Sequence, residues 1–184
     1  MHYIIFDLEA TCWKNKQEAP GKPEIIEIGA VKLDSNGNEM DKLKQFVKPT
    51  HFPELSEFCT ELTSITQDMV DSAPNFPKAI QIFRDWIGFD EHFVLCSWGD
   101  YDRKQLKGEA EMHDIPSDWC NKHINLKAQY AEIKMQKKQK GMKKVLEAEG
   151  ISLTGTHHRG IDDAVNITKI FKQYFGFWDI QVDK

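Results

Sequence analysis

Apolar and polar positions fall into blocks that separate into strands and helices. Tyr3–Leu8 is a short, mostly apolar run, the pattern of a buried central strand. Ile25–Leu33 predicts a second strand and Lys44–Lys48 the end of a third. Between them Asp34-Ser35-Asn36-Gly37-Asn38 is a turn cluster, so the second and third strands are expected to form a hairpin. A loop holding Pro20, Gly21 and Pro23 separates the first two strands. Short helices are expected over Pro53–Cys59 and Thr66–Asp71. A longer one over Pro77–Ile87 has proline in its first turn, Gly88 past its end, and Ile80, Phe83 and Ile87 at helical spacing. Phe93–Trp98 reads as a strand and Asp100–Met112 as a helix. The last third reads as helices over Leu126–Lys138, Met142–Glu149 and Gly160–Phe175, with Gly150 and Gly176 where helix stops belong. A meander followed by helix, strand and helices predicts an α/β fold with a mixed sheet flanked by helices. No repeat or linker divides the chain, so a single domain over 1–178 and a C-terminal tail at 179–184 are expected.

Composition narrows the class. The 184 residues suit one α/β domain with a sizeable core. With 40% hydrophobic and 29% charged residues the chain reads as soluble and globular. It has no apolar run of membrane-spanning length and no signal-type N-terminus, and the expectation is a cytoplasmic protein without membrane partners. Cys12, Cys59, Cys96 and Cys120 form no CxxC knuckle and fit a reducing compartment. The net charge of −5 runs against nucleic-acid binding, because phosphate contacts want Lys and Arg. Two features temper it. Acids that ligate metal lose their charge on binding, and Lys134, Lys137, Lys138, Lys140, Lys143 and Lys144 crowd into one short segment.

The acids carry the candidate chemistry. Asp7 and Glu9 are two apart in a strand, so both point to one face at the end of a buried element. Two carboxylates so placed repel and resist desolvation, a cost that a divalent cation offsets. Asp102 shares a helical face with Leu106 and Ala110, whereas Asp100 shares one with Lys104, Lys107 and Glu111. The inward acid is the unusual one, so Asp102 is the candidate and Asp100 reads as a helix cap. By the same test Asp163 lines up with Ile167, Ile170 and Tyr174, and Asp162 with Asn166, Lys169 and Gln173, a face expected to be solvated. His157 and His158 precede this helix in a Gly-bounded loop, where a mobile imidazole can activate water; His158 is preferred as the base and His157 as a loop or substrate contact. An oxygen-only set suits Mg²⁺ or Mn²⁺ rather than zinc, and four carboxylates can hold two ions for phosphodiester cleavage.

Asp7-Leu8-Glu9-Ala10-Thr11, Asp102 after a strand, and His158 with Asp163 resemble the DEDDh group of DnaQ-like 3′–5′ exonucleases. The sister group with Tyr in place of His does not fit, because position 159 is Arg. Phe6–Cys12, Glu24–Ile28, Leu55–Cys59, Leu62–Gln67 and Gly155–Asn166 are similar to the Eri-1-like histone-mRNA and small-RNA exonucleases and to bacterial KapD-like proteins. The resemblance implies a ribonuclease-H-like fold with a five-stranded mixed sheet. It implies metal binding by Asp7, Glu9, Asp102 and Asp163, with Asp7 bridging two Mg²⁺ or Mn²⁺ ions, and a general base at His158. It places Ala10, Thr11, Leu62, Thr63, Thr66 and His157 near the substrate, a nucleic acid 3′ end, RNA before DNA, with a nucleoside monophosphate as product. Trp13 and Trp98 are either stacking surfaces or core. The other readings are a DNA exonuclease of proofreading or repair type and a non-catalytic nucleic-acid-binding scaffold. A scaffold is expected to lose metal ligands, and all five positions are intact.

Overall fold

The computed structural model describes residues 1–15, 17–88 and 92–180. Five strands form one sheet: β1 (His2–Ala10), β2 (Ile25–Leu33), β3 (Glu39–Phe46), β4 (Phe93–Ser97) and β5 (His123–Asn125), in the order β3-β2-β1-β4-β5. β1 pairs antiparallel with β2 and parallel with β4, so the sheet is mixed and β1 is central. The hairpin of β2 and β3 closes through Asp34, whose Oδ1 accepts the Asn36 and Asn38 amides.

Alternation along β1 sorts the core into two layers. Ile4, Phe6 and Leu8 face α3 (Phe76–Ile87) and α4 (Tyr101–Met112), packing with Ile80, Phe83 and Leu106. Tyr3 and Ile5 face the other way, toward α5 (Leu126–Ile133), α6 (Met142–Ala148) and α7 (Gly160–Gln173), packing with Tyr130, Val145, Ile167, Ile170 and Phe171. Each such side chain contributes roughly 1.5–3 kcal/mol of burial. The odd-numbered face of β1 is thus the α7 face, and continuing it past Ile5 brings Asp7 and Glu9 toward the start of α7.

That approach depends on two glycines. A Cβ on Gly29 of β2 would lie 2.0 Å from the Gly160 carbonyl carbon, and one on Gly160 would lie 3.1 Å from the Asp7 carbonyl oxygen. Backbone meets backbone here, which only glycine allows.

Several boundaries differ from the pattern reading. The first short helix, α1, runs Glu57–Thr63 rather than Pro53–Cys59, because Ser56 caps it: its Oγ accepts the Cys59 amide. The next, α2, spans Gln67–Asp71 with Thr66 at the N-cap position. The third strand begins at Glu39, and its exposed polar residues hid it. α5 stops at Ile133 instead of Lys138: Met135 adopts a φ of 50° and turns the chain out of the helix, with no glycine to signal it. β5 is only three residues long, below what periodicity registers.

After α7, Trp178 is buried with its Nε1 donating to the Phe171 carbonyl. Asp179 exchanges hydrogen bonds with Gln129, and Ile180 packs on the same core. The expected tail therefore begins as packed chain, and 181–184 lie outside the described residues. Among the described residues no helix is long and apolar enough to cross a membrane.

Candidate active site

β1 ends in the carboxylate pair. Glu9 is buried and Asp7 half-buried, and oxygens of Asp7, Glu9 and Asp163 lie within 4.8 Å of one another. Asp163 is buried in the first turn of α7. Asp102 is buried in the first turn of α4, and its Oδ1 accepts the Leu8 amide at 3.2 Å, which ties α4 to β1 beyond the last β1–β4 pair. Four carboxylates expected to act together therefore converge. Burial, then repulsion from Asp163, Glu27 and Asp102, pushes Glu9 up to about 8. Burial, opposed by hydrogen bonds from backbone amides and Ser97, leaves Asp102 at about 6. Asp7 is raised well above the carboxylate range by burial and by Asp102, Glu9, Asp163 and Glu27. Such a set is poorly stable as bare anions and is suited to a hard divalent cation.

Both histidines meet Asp163. His157 Nδ1 lies 2.9 Å from Asp163 Oδ2, and the His158 backbone amide donates to the same oxygen at 3.1 Å. The two rings stack with centroids 4.0 Å apart. His158 sits at φ 67°, a left-handed conformation that costs a non-glycine residue about 1–3 kcal/mol and concentrates at functional sites. Burial first, then the charge of His157 and of Lys143, lowers the His158 pKa against the opposing pull of Asp163. The imidazole is therefore neutral at pH 7, as a proton acceptor must be.

The helical-phase sorting of the paired acids holds for burial but not for surroundings. Asp100 stands at the N-cap position of α4, yet its carboxylate binds Arg103 and Lys104, at 2.7 and 2.9 Å, and caps no amide. Those partners hold it at about 2. The face of Asp162 is not solvated. Asn166 on that face is fully buried and grips Thr154, and Asp162 accepts the Thr156 amide at 2.8 Å. The 152–156 loop covers this face, so Asp162 holds the histidine loop from outside the cluster.

The remaining predicted contacts are spread around the strand end. Ala10 and Thr11 are buried, and the Thr11 hydroxyl accepts the Glu24 amide. α1 lies alongside, with Cys59 Sγ against the Ala10 carbonyl and Ser56 Oγ donating to the Cys12 carbonyl. On this helix Leu62 is exposed, whereas Thr63 is buried with its hydroxyl bonded to the Cys59 carbonyl. Thr66 is exposed. Trp13 is half-buried against Phe52, and Trp98 packs on Tyr130.

Glu27 and Tyr101 were not singled out by the sequence. Glu27, fully buried, stands opposite Glu9 across β1 and β2. Its Oε2 accepts Arg159 Nε at 3.0 Å and the Gly160 amide at 3.1 Å, which clamps the start of α7. The signal was available: a Glu in a buried strand demands a cation, and Arg159 follows the candidate base. Tyr101, exposed at the start of α4, borders the carboxylates. With Thr11, Cys12 and Trp13 it lines a cleft of about 330 Å³.

The mixed sheet with the order 3-2-1-4-5 is a ribonuclease-H-like fold, and a buried carboxylate cluster stands at the end of its central strand. The chain belongs to the Exonuclease (RNase_T) family, whose profile matches residues 4–171. It is 32% identical over 196 residues to human (Homo sapiens) "ERI1 exoribonuclease 3", covering 100% of this chain and 57% of that protein, so it spans little more than half of that relative. It is 31% identical over 170 residues to "Probable 3'-5' exonuclease KapD" of Bacillus subtilis (strain 168), covering 92% of this chain and 82% of the other. The nuclease domain of 3′hExo, a DEDDh family member solved bound to rAMP, superposes with a TM-score of 0.87 at 31% identity, covering 95% of this chain and 92% of that one.

Proposed function

We propose that this protein is a 3′–5′ exonuclease that hydrolyses single-stranded RNA from a free 3′ end and releases nucleoside 5′-monophosphates, with two Mg²⁺ or Mn²⁺ ions per site. The observation that carries the reading is the convergence of Asp7, Glu9, Asp102 and Asp163 beside a neutral histidine. Asp7, Glu9 and Asp163 would hold one ion, and Asp7 with Asp102 the second. Bound ions would neutralise charge on the attacking and leaving oxygens and lower the pKa of water. His158 takes the proton of the attacking water, and its lowered pKa keeps the accepting nitrogen free. The Glu27–Arg159 clamp and the Asp162–Thr156 bond fix the two ends of the loop that carries it. The cleft lined by Thr11, Trp13 and Tyr101 would take the terminal nucleotide, and the family resemblance adds Ala10, Leu62, Thr63, Thr66 and His157 as substrate contacts. RNA is favoured over DNA by the exoribonuclease relatives and by the ribonucleotide bound to 3′hExo.

The test is turnover of 5′-labelled single-stranded RNA and DNA in EDTA, Mg²⁺ and Mn²⁺. A ladder shortening from the 3′ end with either ion, faster on RNA and absent in EDTA, is expected. Cleavage that persists in EDTA contradicts the metal assignment, and a preference for DNA contradicts the substrate.

A further inference from the structure

Several cations of this acidic chain are engaged. Arg159 is paired with Glu27, Arg103 and Lys104 with Asp100, Lys134 with Glu149, and Lys169 with the 152–154 backbone and Thr154. The segment between α5 and α6, with the first turn of α6, gathers five lysines within residues 137–144. Lys137, Lys138, Lys140, Lys143 and Lys144 are all exposed, and among the described residues no carboxylate lies within ion-pair distance of any of them. An unpaired run of like charge repels itself and raises the local potential for anions.

Its position joins it to the active site through one bond. Trp98 follows β4 by one residue and precedes Asp102 by four, and its Nε1 donates to the Lys140 carbonyl at 3.0 Å. The indole, packed on Tyr130, thus holds the lysine segment at the carboxyl end of β4, where α4 and Asp102 begin. Gly99 brings a further cation near, with Lys127 Cδ 3.8 Å from where its Cβ would stand. A strand whose last phosphodiester lies between Asp102 and His158 can leave the site past this border. The α1 side offers Leu62, Thr66 and the acids Glu57 and Glu61, which repel phosphate.

We propose that Lys137, Lys138, Lys140 and Lys144 form the track for the phosphodiester backbone upstream of the 3′-terminal nucleotide, held against the active site by the Trp98–Lys140 bond. The inference rests on the exonuclease reading and adds to it the path of the bound strand. The track recognises phosphate and not base, so binding along it is independent of sequence and sensitive to salt. It also makes chain length a determinant of KM, since a substrate too short to reach the lysines gains nothing from them.

The experiment compares the wild type with K137E/K138E/K140E on two substrates across a salt series. One is the p-nitrophenyl ester of thymidine 5′-monophosphate, which fills the active site alone. The other is single-stranded RNA of roughly 20 nucleotides, longer than the ~4–16-nucleotide footprints typical of such grooves. Removing three phosphate contacts should flatten the slope of log KM against log salt on the RNA by about 2, from ~0.7 per contact. The ratio of kcat/KM on RNA to that on the ester should fall on the order of 10-fold or more at low salt. If the slope and the ratio match the wild type, the track is refuted while the ester signal leaves the exonuclease reading standing. If the variant loses ester hydrolysis and RNA cleavage in equal proportion, the lysines serve the active site itself and the track is again refuted. If the wild type hydrolyses neither substrate, the underlying reading fails first. A Trp98→Phe variant keeps the ring and loses the bond to Lys140; a KM increase on RNA with ester kcat retained supports the anchor, and equal RNA KM removes it.

Discussion

His158 combines three properties in one residue: a left-handed backbone, a ring held half-buried against His157, and a pKa lowered by that burial and by neighbouring charge. A base whose folded pKa is depressed stays competent to lower pH than a free imidazole. The acidic limb of kcat is therefore expected below pH 6.5, the ordinary histidine value. General-base help is typically worth about 10²–10⁴-fold, so His158→Ala should lose that much in kcat and lose the limb. His157→Ala should keep the limb, although Asp163 loses a partner at 2.9 Å. Rate measurements from pH 5 to 9 on both variants decide it; a limb that survives in His158→Ala assigns the base elsewhere. The sequence made the candidate residues at this site legible because an inward acid violates helical amphipathicity, a signal Asp102 and Asp163 both carry. It could not reveal that the Asp162 face is covered, because Thr154 and Asn166 meet only when the loop folds back over α7.

At the scale of elements, the site is made by where α7 lands on the sheet. Gly29 and Gly160 let the helix start against β2, and Glu27 then binds the Arg159 side chain and the first helical amide. Gly29→Ala would place a methyl group 2.0 Å from backbone, and backbone cannot rotate away as a side chain can. Overpacking of this kind costs about 1–3 kcal/mol. The expected outcome is a lower melting temperature together with a loss of kcat at temperatures where the variant is still folded, because Asp163 moves with the helix. A variant destabilised but fully active when folded would show that the approach of α7 is structural only. The strand and helix order was readable from periodicity, since β1, β2, α3 and α7 have strong patterns. Met135 and the three-residue β5 were not, because one turns on a single backbone angle without glycine and the other is too short to have a period.

Over the whole molecule, the site is a store of electrostatic strain. Glu9 is raised from 4.5 to about 8, Asp102 from 3.8 to about 6, and Glu109, which accepts the Ile25 amide, from 4.5 to about 8. The folded state therefore binds more protons than the unfolded chain, and stability falls as pH rises through these values. For these groups it is fully present below about pH 4 and declines from there to about pH 8, the highest of the raised values. The metal-free protein should melt lower at pH 9 than at pH 6. Mg²⁺ should recover part of the loss at pH 9, because it binds the deprotonated carboxylates. Glu109→Gln should flatten the pH slope without changing the Mg²⁺ effect; a melting temperature that rises with pH in EDTA contradicts this account. The central claim, that these carboxylates remove nucleotides from a 3′ end, is tested most directly by the products formed from single-stranded RNA labelled at its 3′-terminal nucleotide. With Mn²⁺ the wild type and Asp162→Asn should release labelled nucleoside 5′-monophosphate as the first product, and Asp163→Asn should release none. Labelled oligonucleotides as first products, or an active Asp163→Asn beside a dead Asp162→Asn, would contradict it.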